Sequence, residues 1–370
     1  MDSLGNPGLP RESTFNREIL TMNRVENKKD VTHSFSIIVT ERCNLNCSYC
    51  HFYKIVSRKS RRDLPDDLFD LYMHFIKYFK EKVGGPVNYR FSGGDPIVLG
   101  NRLFDISRRG YEITRIKPYI LTAAKGVNEK WIEKAKKSAI HHLFISIDNP
   151  INPDPGSTDP FEIMRMIKKY HSKELPLQLG VTIIKNKDFK DIYKVCKLVY
   201  EELGCLPKIQ ELNYKPYVSP TDQELQDLYD NLVLVVREFH DKVPLDLFSY
   251  ISPEFTAVHD KKETFLVEFN LTNHYQITKN NFDESIERVF EREKINYPES
   301  ECQDTGCDWY QDCKRVKWLW KTESETVSAE QKFKDYCRFK KTINSAFYDA
   351  LKDKIDETCE YPDKSIPTVL

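Results

Sequence analysis

Cysteines at positions 43, 47 and 50, in the run Thr-Glu-Arg-Cys-Asn-Leu-Asn-Cys-Ser-Tyr-Cys, present three thiols from one short loop. With ten cysteines in 370 residues, such a CxxxCxxC spacing arises by accident about 0.007 times per chain, so the pattern points to ligation. Three thiolates hold three irons of a 4Fe-4S cube and leave the fourth open to an outside ligand. Completed by His51 or a distant cysteine, the same thiols would instead make a tetrahedral zinc site. A second group, Cys302, Cys307 and Cys313 followed by Cys337, offers four more sulfur ligands, again for a cluster or for zinc. Cys196, in the helical stretch DIYKVCKLVYEEL, and Cys205 read as buried small apolar residues. Cys359 lies in an acidic tail, DETCEYPDKS, as an exposed thiol, a spare ligand or a hydrogen-atom donor, with a bland surface role favoured.

The elements that must position these thiols alternate between two periods. Short apolar runs predict strands at His33 to Thr40, Val87 to Ser92, Ile116 to Thr122, His141 to Asp148, Leu177 to Lys185 and Ile209 to Tyr217. Between them, helical spacing is clearest where Leu68, Leu71, Tyr72, Phe75 and Phe79 share a face after Asp63 and Pro65. Further helices are expected near Glu129 to Ile140, Pro160 to His171, Phe189 to Leu203 and Thr221 to Asp241. Six strand-helix units predict an α/β fold, a partial (β/α)6 TIM-type barrel, with a C-terminal cysteine-rich extension. The expected division is an N-terminal arm at 1–30, a barrel at 31–242 and the extension at 243–370. In such barrels the strand carboxyl ends carry the active site, which is where the three-cysteine loop falls.

Lys plus Arg is 56, Asp plus Glu is 57, and the net charge of -1 argues against a general nucleic-acid or membrane-surface binder. A local basic run, Lys54, Arg58, Lys59, Arg61 and Arg62, follows the cysteine loop and reads as a solvated face, the alternative being attraction of an acidic substrate or carboxylate at the barrel mouth. The first residues lack the apolar core of a secretory signal, and no run of about 18 apolar residues could span a bilayer. A cytoplasmic protein is expected, and in that reducing compartment ten cysteines favour metal binding over disulfides.

The cysteine loop resembles that of the radical S-adenosylmethionine (SAM) superfamily, whose pattern places an aromatic residue before the third cysteine, here Tyr49. The family carries a GGEP-like motif after its second strand, and Phe91-Ser92-Gly93-Gly94-Asp95-Pro96 stands there with Asp95 in place of the commoner Glu. The resemblance implies that Cys43, Cys47 and Cys50 hold a 4Fe-4S cluster with SAM on its open iron, Tyr49 packing near the adenine. Gly93 and Gly94 would let the backbone approach the ligand, and Asp95 would accept from its ammonium. Thr122 and Ser146, at the ends of the third and fourth strands, are candidates for ribose contact, although either hydroxyl could serve neighbouring backbone instead. The arginine that many relatives place after the fourth strand has no counterpart in the Pro-rich stretch Asn149 to Asp159.

The later cysteines resemble the SPASM/twitch extension found on a subset of these enzymes. The first spacing is four residues rather than two, Val316 stands at the fourth cysteine position, and Leu206 to Glu301 contains no cysteine around the β-hairpin expected at Phe265 to Thr278. The resemblance therefore implies one auxiliary 4Fe-4S cluster on Cys302, Cys307, Cys313 and Cys337, making two clusters in all. It further implies an electron donor such as flavodoxin or ferredoxin, and radical abstraction of a substrate hydrogen atom. Peptide or protein modification is the favoured outcome. The alternatives are a small-molecule dehydrogenase or rearrangement enzyme, and a non-catalytic zinc protein, which would need neither Tyr49 nor the Gly-Gly-Asp-Pro turn.

Overall fold

The run His-Ser-Phe-Ser-Ile-Ile-Val-Thr forms the first strand, β1 (His33–Thr40), and every residue in it is buried. A computed structural model describes residues 33–50, 61–184, 188–212, 219–239, 265–269, 280–286 and 329–357. After β1 come α1 (Asp66–Val83), β2 (Val87–Gly93), α2 (Asn101–Thr114), β3 (Tyr119–Thr122), α3 (Glu129–Lys136) and β4 (His142–Asp148). The order continues with α4 (Pro160–Tyr170), β5 (Leu177–Ile184), α5 (Ile192–Leu203), β6 (Lys208–Leu212) and α6 (Asp222–Phe239). All strands are parallel and lie in the order β6-β5-β4-β3-β2-β1, with β7 (Phe265–Phe269) added beside β1. Among the described residues no pairing joins β6 to β7, so the sheet is an open partial barrel, the expected α/β class.

Strand alternation decides which residues meet the helices and which line the concave face. Phe35, Ile37 and Val39 enter the core with α1, the Phe35 ring lying 5.1 Å from Phe79 and 6.3 Å from Phe75. Each such ring, fully buried, contributes up to about 3 kcal/mol. On the opposite face Ser36 Oγ is 2.9 Å from Ser92 Oγ and accepts from Arg90 Nε at 3.1 Å.

The first helix starts after Pro65, with Asp66 and Asp67 in its first turn and Lys80 and Lys82 in its last, charges that suit the helix dipole. Its buried face is Phe69, Tyr72, Met73, Phe75, Ile76 and Phe79, while Leu68 and Leu71 sit at the margin. The helix α2 was not among the sequence expectations: beside Leu103 and Ile106 its buried positions are Ser107, Gly110 and Thr114, small or polar types that do not mark a core-facing side. The third strand begins at Tyr119 rather than Ile116, because Thr114, Arg115 and Ile116 turn the chain, Arg115 adopting a left-handed φ of 59°.

Two elements of the C-terminal segment join the barrel itself. Phe265 to Phe269, expected as part of a hairpin, pairs in parallel with β1; residues 270–279 lie outside the described residues. The last helix, α7 (Ala329–Glu357), lies along α6, where Tyr229 OH donates to Asp349 at 2.7 Å and Arg338 donates to Pro220 O at 3.2 Å. Among the described residues no helix is long and apolar enough to cross a membrane. The N-terminal arm lies outside the described residues.

Candidate active site

The loop that carries Cys43, Cys47 and Cys50 leaves the end of β1 and is tied to four other segments. At its root Thr40 Oγ1 donates to Asp63 Oδ1 at 2.7 Å and accepts from Arg42 N–H at 3.1 Å. The Arg42 guanidinium grips the same carboxylate with two bonds, Nε to Oδ1 at 2.8 Å and Nη2 to Oδ2 at 2.7 Å. Burial works against ionisation of Asp63, but these hydrogen bonds outweigh it and hold the carboxyl below its ordinary range. Glu41 N–H donates to Arg62 O at 2.9 Å, completing this first tie.

The second tie comes from the Gly-Gly-Asp turn after β2. Gly94 N–H donates to Thr40 O at 2.9 Å and Asp95 N–H to Arg42 O at 2.8 Å. A Cβ on Gly93 would stand 2.0 Å from Thr40 O, and one on Gly94 2.2 Å from Arg42 O. The close approach that these glycines permit is therefore to the root of the cysteine loop itself, a tighter role than the ligand approach read from the sequence. Gly93 also has φ +131°, which side-chain-bearing residues rarely adopt.

Asp95 is buried beneath this turn. Its Oδ1 accepts from Thr122 Oγ1 at 2.7 Å and from Ile97 N–H at 3.2 Å, whereas Oδ2 is buried with no hydrogen-bond partner. Burial pushes the carboxyl up to about 6. Thr122, expected near the ribose, is itself buried: its hydroxyl donates to Asp95 and accepts from Ala124 N–H at 2.9 Å, so it orients the carboxylate. Ser146 stands half-buried at the register position opposite Gly180, facing as Asp148 does two residues further along β4.

A third tie joins the β3 end, where Asn44 Nδ2 donates to Lys125 O at 3.3 Å. The fourth is the stretch after β4, which the sequence marked only as Pro-rich. Tyr49 OH donates to Asp148 Oδ1, and Asp148 Oδ2 accepts from Asp154 N–H at 3.0 Å. Asp154 Oδ2 in turn accepts from Ser48 N–H at 3.1 Å and from the Ser48 hydroxyl. Gly156 O accepts from Asn46 N–H at 2.9 Å and lies 3.9 Å from Cys47 Sγ. From sequence Asp63 was read only as a helix start and Asp148 only as part of the strand end Ser146-Ile147-Asp148-Asn149; Arg42, Asp154 and Gly156 were not singled out, and only the turn-forming composition of Asp154-Pro155-Gly156 hinted at the last two.

Cys43 and Cys47 sit in a setting that disfavours their free thiolates. Burial raises Cys43, and burial together with Asp148, Cys50 and Asp154 pushes Cys47 up to about 12. Among the described residues no three His, Cys, Asp or Glu side chains converge as the ligands of one metal ion do. Cys43, Cys47 and Cys50 lie near enough to act on one another electrostatically, and with the partnerless buried oxygen of Asp95 they fit three thiols for a cluster and a carboxylate for an ammonium. Cys337 is half-buried on α7, packed against the core. Cys302, Cys307, Cys313 and Cys359 lie outside the described residues, as do Lys54, Arg58 and Lys59 of the basic run. Cys196 is buried as expected, whereas Cys205 is exposed.

A parallel open barrel with this loop at its mouth defines the radical SAM fold. Residues 37–199 match the profile of the Radical SAM superfamily. The chain is similar to a probable GTP 3',8-cyclase of Methanocaldococcus jannaschii, 25% identical over 62% of this chain and 78% of that protein. Its fold resembles native anSMEcpe with bound AdoMet and Cp18Cys peptide at TM-score 0.57 and 16% identity, covering 87% of this chain and 99% of that one. It also resembles Streptococcus suis SuiB bound to S-adenosylmethionine, at TM-score 0.52 and 16% identity over 81% and 76% of the two chains. Together these findings show the radical SAM fold, with a match to that superfamily over residues 37–199.

Proposed function

We propose that the chain cleaves SAM reductively and takes a hydrogen atom from a peptide or protein substrate, as a SPASM/twitch-type maturase in the cytoplasm. The observation that carries the reading is the cysteine loop locked, at the strand carboxyl ends, to a Gly-Gly-Asp turn whose buried carboxylate keeps one oxygen without a partner. A 4Fe-4S cluster with SAM supplies, when bound, one-electron cleavage of the sulfonium bond and a 5'-deoxyadenosyl radical. Cys43, Cys47 and Cys50 would hold three irons, Asp95 would accept from the SAM ammonium, and Tyr49, held by its hydrogen bond to Asp148, would pack near the adenine. Ser146 remains the candidate for the ribose. Cys302, Cys307, Cys313 and Cys337 are assigned to one auxiliary cluster with no open iron, a relay or structural role, and flavodoxin or ferredoxin is the assigned electron donor.

The peptide reading draws support from the long structural alignment with a peptide-bound neighbour. A second reading, a small anionic substrate, is favoured by Arg90: it lines the concave face, and among the described residues no carboxylate pairs with it. The test of the class is iron, sulfide and 5'-deoxyadenosine formation in anaerobically purified protein, beside a Cys43→Ala/Cys47→Ala/Cys50→Ala triple variant. About eight irons falling to about four, with loss of 5'-deoxyadenosine, is the expected result. Zinc with no iron in either protein refutes it.

A further inference from the structure

Of the four ties on the cysteine loop, the one after β4 touches every residue around the middle cysteine. Asn46 donates to Gly156 O, Cys47 Sγ lies beside the same carbonyl, Ser48 donates twice to Asp154, and Tyr49 donates to Asp148. The segment is itself braced. Asp154 Oδ1 accepts from Gly156 N–H at 2.8 Å, Asp154 O accepts from Ser157 Oγ at 2.9 Å, and Asp154 N–H bonds Asp148. A Cβ at Gly156 would stand 2.0 Å from Asn46 O, so the two stretches lie backbone against backbone.

Two consequences follow for a cluster held by these cysteines. Hydrogen bonds to cluster sulfurs and net charge near the cluster set its potential, donors raising it and anions lowering it. Ser48 N–H, the amide directly after a ligand, points to Asp154 and so is withheld from the cluster. The Asp154 carboxylate also places a negative charge one residue from Cys47. Both effects act in the same direction.

We propose that Asp154 is a positioning residue that ties Ser48 away from the cluster and sets an anion beside Cys47, lowering the potential at which the cluster accepts one electron. This rests on the radical SAM reading of Cys43, Cys47 and Cys50. Asp159 provides the control, because it belongs to the same stretch yet only caps α4, its Oδ1 accepting from Phe161 N–H at 2.9 Å.

The test is a dithionite redox titration of the holoenzyme, followed by electron paramagnetic resonance, for wild type, Asp154→Asn, Asp154→Ala and Asp159→Asn. Asp154→Asn removes the charge and Asp154→Ala also frees the Ser48 amide. Both should become easier to reduce, the Ala variant by about tenfold in the reduced-to-oxidised ratio, or about 59 mV for one electron, while Asp159→Asn stays at the wild-type midpoint. Unchanged midpoints in both Asp154 variants, or an equal shift in Asp159→Asn, overturn the proposal; a purely structural role would lower iron content and leave the midpoint of the remaining cluster unmoved. Amide exchange at Ser48 in the cluster-free chain supplies a readout independent of iron. It should quicken about tenfold in Asp154→Ala, and unchanged exchange there also overturns the proposal. Wild-type protein without iron would refute the radical reading, while the exchange arm would still decide whether Asp154 holds the loop.

Discussion

Asparagine in place of Asp95 should strengthen the fold and weaken SAM binding at once. Burial raises the Asp95 carboxyl from 3.8 to about 6, against the hydrogen bonds from Thr122 and Ile97 that pull it down. A folded-state value above the ordinary one means that the native chain binds more protons than the unfolded chain between those two pH values. Stability therefore falls as pH rises through that window, and ionised Asp95 costs about 3 kcal/mol at neutral pH. Asparagine removes that cost and keeps an oxygen for Thr122 Oγ1 and Ile97 N–H. The urea midpoint at pH 7, measured without SAM, should rise, and its decline between about pH 4 and pH 6 should disappear. Binding responds in the opposite sense. A charge-assisted bond to an ammonium contributes about 1.5 to 3 kcal/mol, so the SAM dissociation constant should increase about 10- to 150-fold. In wild type, affinity should grow with pH as Asp95 ionises; in the variant it should be flat. A variant less stable by more than about 1 kcal/mol with unchanged SAM affinity would refute the reasoning, and would make Asp95 only the cap of the short turn at Pro96–Leu99.

Gly94→Ala drives a Cβ into the Arg42 carbonyl, backbone that cannot yield, so it should cost about 3 kcal/mol and lower iron per chain, read by urea denaturation and iron assay. Asp63→Asn loses the paired grip on Arg42, but those side chains are 29% and 47% exposed, so the loss should be about 1 kcal/mol. Because Asp63 is held below its ordinary range, its contribution is present above pH 3.8 and fades as pH falls; that fading should be absent from the variant's acid-denaturation profile. Cys337→Ser should reduce iron by about four per chain while reductive cleavage of SAM persists, measured as 5'-deoxyadenosine.

The barrel was legible because its strands are short apolar runs with sharp ends: β1 and β5 begin where the sequence places them. The helix α2 was not, since its buried face is built partly from Ser107, Gly110 and Thr114, small or polar types that do not announce a core-facing side. The same contrast holds at the site. Cys43, Cys47, Cys50 and the Gly-Gly-Asp turn declare themselves by spacing and type. Asp63, Asp148 and Asp154 do not, for each acts through a partner far along the chain, from 21 to 106 residues away. Thr122 was legible as a polar strand end, but only the packing assigns its hydroxyl to Asp95.

These distant partners explain how a ligand loop can be ready before its metal. Ordering ten residues from Thr40 to Tyr49 costs roughly 1 to 2 kcal/mol each in backbone freedom. Ties to Asp63, Gly94, Lys125 and Asp154 place that cost on folding rather than on cluster assembly, which is the meaning of preorganisation. The same packing leaves Cys47 a neutral thiol at pH 7, pushed up to about 12 by burial and by nearby anions. In the proposed cluster the positive charge of iron would reverse that balance, since a coordinating thiol loses its proton outright. The loop thus fixes position in advance and would leave ionisation to the metal, so a change that loosens a tie should act on assembly and potential as well as on the fold.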